Sequence, residues 1–294
     1  MVESTTTIYD VARVAGVSMA TVSRVVNGNA NVKEKTRQKV LEAIAELDYR
    51  PNAVARGLAS KRTTTVGVIL PTITSTYFAA ITRGVDDIAS MYKYNMILAN
   101  SDNDVEKEEK VLETFLSKQV DGIVYMGSSL DEKIRTSLKN SRTPVVLVGT
   151  IDGDKEIPSV NIDYHLAAYQ STKKLIDSGN KKIAYIMGSL KDVENTERMV
   201  GYQEALLEAN IEFDENLVFE GNYSYEQGKA LAERLLERGA TSAVVSHDTV
   251  AVGLLSAMMD KGVKVPEDFE IISGANSPIT QYTYPTLTSV NQPL

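Results

Sequence analysis

The 294-residue chain has no cysteine and only two histidines, His165 and His247. That removes disulfides and thiolate metal sites and leaves too little imidazole for a metal cluster, so no metal and no cofactor are expected. No apolar run reaches the roughly 18 residues that a membrane-spanning helix needs. The opening residues Met1 to Thr7 lack a basic stretch followed by an apolar one, so the reading is a cytoplasmic protein with no membrane partner. Also missing are a glycine-rich phosphate loop, a nucleophile elbow and a poised Cys/His pair, which argues against an enzyme. What remains is an ordinary globular composition, 43% hydrophobic and 24% charged, at a length that accommodates two or three domains.

The net charge of -8 is unevenly spread. Residues Met1 to Arg62 hold ten Lys/Arg against six Asp/Glu, so this head carries +4 and the remainder carries -12. A basic head on an acidic body favours phosphate contact at one end and keeps the rest off nucleic acid.

The head reads as three short helices over residues 1-50. Thr7-Ile8-Tyr9-Asp10 has capping-box spacing, and Ile8, Val11, Ala12 and Ala15 follow at one-face helical spacing. Gly16-Val17-Ser18 interrupts this helix. Ser18 can cap a second one whose Val22, Val25 and Val26 form an inner stripe. The opposite face of that second helix shows Ala20, Ser23, Arg24 and Asn27, small or hydrogen-bonding groups that can approach base edges and phosphates. A third helix is expected from Glu34 to Leu47, with Val40, Leu41, Ile44 and Leu47 inward and Lys35, Arg37 and Lys39 outward.

Residues 51-62 read as a hinge helix or linker. Pro51 stops the preceding helix and Asn52 can cap a new one. The segment spans barely two turns and contains Gly57, so it should be largely unfolded until a partner orders it. Leu58 lacks an obvious core in this basic stretch and could wedge between base pairs in a minor groove; an ordinary interdomain tether is the plainer alternative.

The segments Thr7-Ile8-Tyr9-Asp10-Val11-Ala12, Val17 through Asn27, and Tyr49-Arg50-Pro51-Asn52 together resemble the signature of the LacI/GalR family of transcription regulators. The resemblance implies a homodimer on a pseudo-palindromic double-stranded DNA operator, with the second helix of each head in the major groove and paired hinge helices in the minor groove, each inserting a leucine. It assigns DNA contact to Thr7, Tyr9, Ser18, Met19, Ala20, Thr21, Ser23, Arg24 and Asn27 in the head. At the hinge it assigns Tyr49, Asn52, Ala55, Leu58, Ala59 and Lys61. Met19 and Ala20 fall where family members vary to choose operators.

Beyond the hinge, apolar strand-like runs alternate with helical patterns: Val66 to Leu70, Met96 to Ala99, Gly122 to Met126 and Val145 to Val148, then, after Asp163, Lys182 to Met187, Leu217 to Phe219, Ser242 to Ser246 and Glu270 to Ile272. Near-continuous apolar strands between helices mean parallel sheets covered on both faces. The fold class expected is therefore α/β: a helix-turn-helix head and hinge helix, then a two-lobed body with a first lobe over 63-162 and a second over 163-290. The body resembles the periplasmic-binding-protein-like fold of the same family. Ligands of such sheets bind beyond the carboxyl ends of the strands, here in a cleft between lobes.

The family resemblance places Asp163, Arg198 and Asp248 in an effector cleft, although both carboxylates precede helical patterns and could simply cap them. At Ser273-Gly274-Ala275-Asn276 the chain departs from sugar-responsive members, because Ala275 stands where a carboxylate would hold sugar hydroxyls. Losing that acceptor would weaken a polyol by about one or two decades. The stretch Asp86 to Asn95 looks like the first lobe of those members that serve carbon catabolite control. In them the co-repressor is the phosphocarrier HPr phosphorylated on serine, so Tyr92, Lys93 and Tyr94 are expected near a protein-docking surface, with burial of one or both tyrosines as the alternative. A family member answering to a small sugar or phosphosugar, and a plain sugar-binding protein, are the other readings. The acidic run Asp102 to Lys110 is expected to be a solvated loop and helix start. Residues 291-294 read as the start of a crossover back to the first lobe, which family members complete with a further helix and strand. Without those, an uncovered apolar face, low solubility and a weak co-repressor response are expected.

Overall fold

The computed structural model describes residues 6–50, 62–127, 130–190 and 192–292. The chain separates into two units, Met1–Thr63 and Thr64–Leu294. The first holds α1 (Ile8–Ala15), α2 (Met19–Val26) and α3 (Glu34–Glu46). Thr7 and Asp10 start α1 together: the Thr7 backbone N–H donates to Asp10 Oδ2 at 3.0 Å and the Thr7 hydroxyl at 2.7 Å. Gly16 ends it at φ 62°, a left-handed cap conformation that any Cβ would strain. Ser18 Oγ accepts the Thr21 N–H at 3.2 Å and opens α2.

The three helices close on Val11, Val22, Val25, Val40 and Ala43. Here the α3 wheel differs from expectation. Val40, Ala43, Ile44 and Leu47 share the inward stripe, whereas Leu41, one residue off it, is 47% exposed. Arg37 is likewise not a free outward charge, because its guanidinium folds back to donate to the Asn29 carbonyl at 2.7 Å. Lys35 and Lys39 do face outward. Asn52, Ala55, Leu58, Ala59 and Lys61 lie outside the described residues.

The second unit has two lobes built on the same plan. The first contains β1 (Thr65–Leu70), α4 (Thr76–Met91), β2 (Asn95–Asn100), α5 (Val105–Ser117), β3 (Gly122–Tyr125), α6 (Glu132–Asn140), β4 (Val145–Val148) and β5 (Ser159–Val160). The second runs through α7 (Tyr164–Asp177), β6 (Ile183–Met187), α8 (Val193–Glu208), β7 (Val218–Glu220), α9 (Tyr225–Glu237), β8 (Ser242–Val245), α10 (Asp248–Asp260), β9 (Glu270–Ser273), α11 (Ile279–Tyr282) and β10 (Thr288–Ser289). Both sheets are parallel, in the orders β2-β1-β3-β4-β5 and β7-β6-β8-β9-β10. Eight strands fall on the apolar runs of the sequence. The two-residue edge strands β5 and β10 do not, being too short to carry a periodic signal.

Residues Asp102 to Lys110 are only partly the solvated stretch expected. Asp104 caps α5 through the Lys107 N–H at 3.0 Å, but Glu108 is buried and accepts the Tyr125 hydroxyl at 2.9 Å inside the first-lobe core. The helix repeat turns Glu108 inward together with Leu112 and Phe115, and burial pushes its carboxyl above the usual range. The opposite face of the first sheet, between Val66, Val124 and Val148 on the strands and Ile81, Val85 and Ile88 on α4, bounds an apolar groove of about 700 Å³.

Candidate functional site

Two surfaces bring the sequence-derived residues together. On the head, Tyr9, Met19, Ala20, Arg24 and Asn27 are exposed, while Thr21 and Ser23 are half-buried beside them. Their arrangement follows from the helix pattern: Val22 and Val25 hold one side of α2 in the core, so Ala20, Ser23, Arg24 and Asn27 face away from it. Ser18 Oγ and Thr21 Oγ1 lie 2.9 Å apart, and Asn27 donates to Ser23 Oγ at 3.3 Å. These short polar groups are held in place by one another. Arg24 has no protein partner among the described residues, so its charge is available to a phosphate or a guanine edge. Thr7 and Ser18 serve as helix caps, and Tyr49 packs its ring against the head core.

In the second unit a cavity of about 110 Å³ lies between the lobes. Pro71, Gly127 and Gly149 reach it just past the ends of β1, β3 and β4, and Ser246, His247 and Ala275 past β8 and β9. Both sheets therefore point their carboxyl ends into it, as parallel sheets with crossover helices require. The walls are largely aromatic. Arg198 of α8 lies 4.6 Å over the Tyr164 ring, and Tyr223 stacks on His247 with centroids 5.1 Å apart. Burial lowers the His247 pKa, so the imidazole is neutral. Glu194 also faces the cavity, and burial first, with the neighbouring Asp192 carboxylate adding to it, lifts its pKa to about 7.

Of the three residues assigned to an effector cleft, Arg198 alone lines this cavity. Asp163 is exposed and caps α7, accepting the Leu166 N–H at 2.8 Å. Asp248 is buried and fully engaged by its own lobe: it accepts the Ser273 hydroxyl, the Ala275 N–H at 3.1 Å and the Ser277 N–H at 2.6 Å. It therefore does not cap its helix. It fixes the loop after β9, which carries the Ala275 methyl into the cavity. Sequence reasoning missed Glu194, Ser246, His247 and the aromatic walls; the one signal on offer was the adjacency of His247 to Asp248.

On the first lobe, Tyr92 is 68% exposed at the end of α4, Lys93 is exposed with φ 61°, and Tyr94 is half-buried. Tyr92 and Tyr94 both border the apolar groove.

Comparison with known proteins matches this architecture. Residues 7–52 fit the family model described as bacterial regulatory proteins, lacI family, and residues 63–292 that of periplasmic binding proteins and sugar binding domain of LacI family. The chain is 55% identical over 293 residues to catabolite control protein A of Streptococcus mutans, covering 99% of this chain and 88% of the relative. To the protein of that name from Priestia megaterium it is 50% identical, covering 98% and 88%. Among solved structures it is similar to the lac repressor dimer bound to operator and the anti-inducer ONPF, with a TM-score of 0.88 at 26% identity over 99% of this chain and 88% of that one. The chain belongs to the LacI family of bacterial DNA-binding transcription regulators.

Proposed function

We propose that this chain is a regulator of carbon catabolite control that binds a pseudo-palindromic operator as a homodimer, with serine-phosphorylated HPr as co-repressor. The observation that carries the reading is the identity of 50 to 55% with catabolite control protein A over nearly the whole chain. The polar face of α2 supports the DNA half: Ala20, Ser23, Arg24 and Asn27 stand clear of the head core and suit a major groove. The exposed Tyr92 and Lys93 support the co-repressor half, since an aromatic ring beside a cation suits a protein interface and an anionic phosphoserine. Co-repressor energy is passed to operator affinity by linkage between the body and the head. Repression or activation then follows from where the operator lies relative to the promoter.

A second reading, in which a small molecule in the interlobe cavity tunes the same switch, is favoured by the buried Arg198 among aromatic walls. The dependence on both signals is tested by fluorescence anisotropy of the chain on a catabolite-response operator and on scrambled DNA, with and without the phosphoprotein, across a salt series. The expected result is operator-specific binding that tightens with serine-phosphorylated HPr and weakens steeply with salt. Operator binding untouched by the phosphoprotein overturns the co-repressor half. Equal affinity for scrambled DNA, from a folded dimer, overturns the DNA half.

A further inference from the structure

We propose that Arg37 is a positioning residue for DNA recognition: it holds the C-terminal end of α2, and with it Arg24 and Asn27, in the placement that operator binding needs, and it does not itself contact phosphate. The inference rests on the operator reading of the head and assigns a role to a residue that the reading leaves out.

The geometry begins where α2 ends. Asn27 is the C-terminal cap, and Gly28, at φ 69°, turns the chain back on the helix. The Gly28 N–H donates to the Val25 carbonyl at 3.0 Å and the Asn29 N–H to the Arg24 carbonyl at 2.9 Å, the pair of bonds that closes a helix through a left-handed glycine. Asn29 is then fixed from the far side. Its Oδ1 accepts the Asn31 N–H at 3.0 Å, and its carbonyl accepts Arg37 Nη2, from α3, at 2.7 Å. A chain of bonds therefore runs from Arg37 through Asn29 to the backbone of Arg24. Among the described residues this is the only hydrogen bond from an α3 side chain to the end of α2.

Burial and charge separate Arg37 from the cations that could meet a phosphate. Its side chain is 23% exposed, against 77% for Arg13, and Lys35 and Lys39 on the same helix face outward. Its Nε lies 3.8 Å from Glu34 Oε2, a carboxylate that would repel a phosphate brought to the same guanidinium. Placed at the C-terminus of α2, the cation also opposes the negative end of that helix dipole.

The consequence for recognition follows from the size of α2. Eight residues are too few to hold a helix without support. Ser18 secures the start and Val22 and Val25 the inner side, while Arg24 and Asn27 stand in the last turn and at the cap, where the Arg37 bond ties the chain to α3. Reading base edges needs side chains held to within about 0.5 Å, whereas sequence-independent binding needs only charge. Loss of the anchor should thus cost specificity and leave general DNA affinity in place.

The test is Arg37→Lys in the full 294-residue chain, read by fluorescence anisotropy on a catabolite-response operator and on scrambled DNA across a salt series, with amide hydrogen exchange on the same protein. Lysine keeps the charge, so a phosphate contact would survive the change. Its ammonium stops short of the Nη2 position and lacks the planar fork, so the bond to Asn29 would not. Expected is an operator affinity at least tenfold lower, with scrambled DNA bound within about twofold of wild type at an unchanged salt slope. Exchange should quicken at Gly28 and Asn29 and stay as it was in α1. Gly28→Ala strains the same turn without a neighbour within 4 Å to strike, and should show the same selective loss. Full operator affinity in folded Arg37→Lys, parallel losses on both DNAs, or unchanged exchange at Gly28 and Asn29 overturns the proposal. So does Arg37→Met lowering the salt slope on scrambled DNA by about one, the mark of a lost phosphate contact. A wild-type chain that does not prefer the operator is a failure of the operator reading instead, and the exchange at Gly28 and Asn29 then decides the anchor by itself.

Discussion

The two lobes repeat one topology with unequal finish. Strands β6 and β8 are buried along their whole length, whereas β2 has no fully buried residue and β4 is half-buried at three of its four residues. The difference lies in the helices. In the second lobe α7 packs on α8 and α9 on α10, and the helices meet at glycines: a Cβ at Gly201 would strike the His165 carbonyl, and one at Gly253 the Tyr225 carbonyl. In the first lobe α4 is the helix bounding the groove face, and Val66, Val124 and Val148 stay half-buried beside it. An apolar strand is thus no guarantee of a sealed sheet; helix cover decides it.

The largest expected effect comes from comparing matched core truncations. Val245→Ala in the sealed lobe should cost about 2.5 kcal/mol, while Val124→Ala at the groove should cost about 1 kcal/mol, both read from urea midpoints at constant slope. Equal losses would erase the contrast between the lobes. Gly253→Ala should follow at about 2 kcal/mol, because the added methyl meets backbone that cannot turn aside. Wild-type stability in that variant would show that α9 and α10 can slide apart freely.

Asp152→Ala should cost on the order of 1 to 2 kcal/mol in the first lobe. Asp152 accepts the backbone N–H groups of Asp154, Glu156 and Ile157 and pairs with Arg135, and its pKa, which burial alone would raise, is carried down to about 2 by these hydrogen bonds. A depressed carboxyl pKa stabilises the fold above its unfolded value of 3.8, and that stability is lost as pH falls through about 4 to about 2. The variant should therefore flatten the acid limb measured by circular dichroism.

The smallest effect has the opposite sign. Glu194, raised to about 7, contributes stability that is complete below 4.5 and lost as pH rises through about 7. Glu194→Gln should leave stability at pH 4 unchanged and raise it by less than about 1 kcal/mol at pH 8. An identical gain at both pH values would remove the burial of that carboxyl as the cause.

Much of the head was legible before any coordinates, because short helices are governed locally. Thr7, Asp10, Gly16 and Ser18 act on residues three or four away, and the valines of α2 keep their spacing whatever surrounds them. Leu41 shows the limit: it is apolar and one step off the stripe, and only packing shows that Ala43 takes the inward place. The interlobe site was far less legible. Asp163, Arg198 and Asp248 were reached by resemblance, yet an aspartate before a helix reads the same whether it caps, lines a cleft or ties down a loop.

The sequence by itself determined the grammar of this protein: a basic three-helix head with one polar helix face, and two runs of apolar strands separated by helices. Each follows from side-chain periodicity or capping chemistry acting over a few residues. Only the tertiary structure decided which polar atoms are spent and which are left over. Asp248 is consumed by three groups 25 to 29 residues downstream, while Ser246 and His247, its near neighbours, are left facing the cavity. The physical reason is that hydrogen-bond satisfaction is a property of the whole packed interior, where donors and acceptors distant in the chain compete for one another.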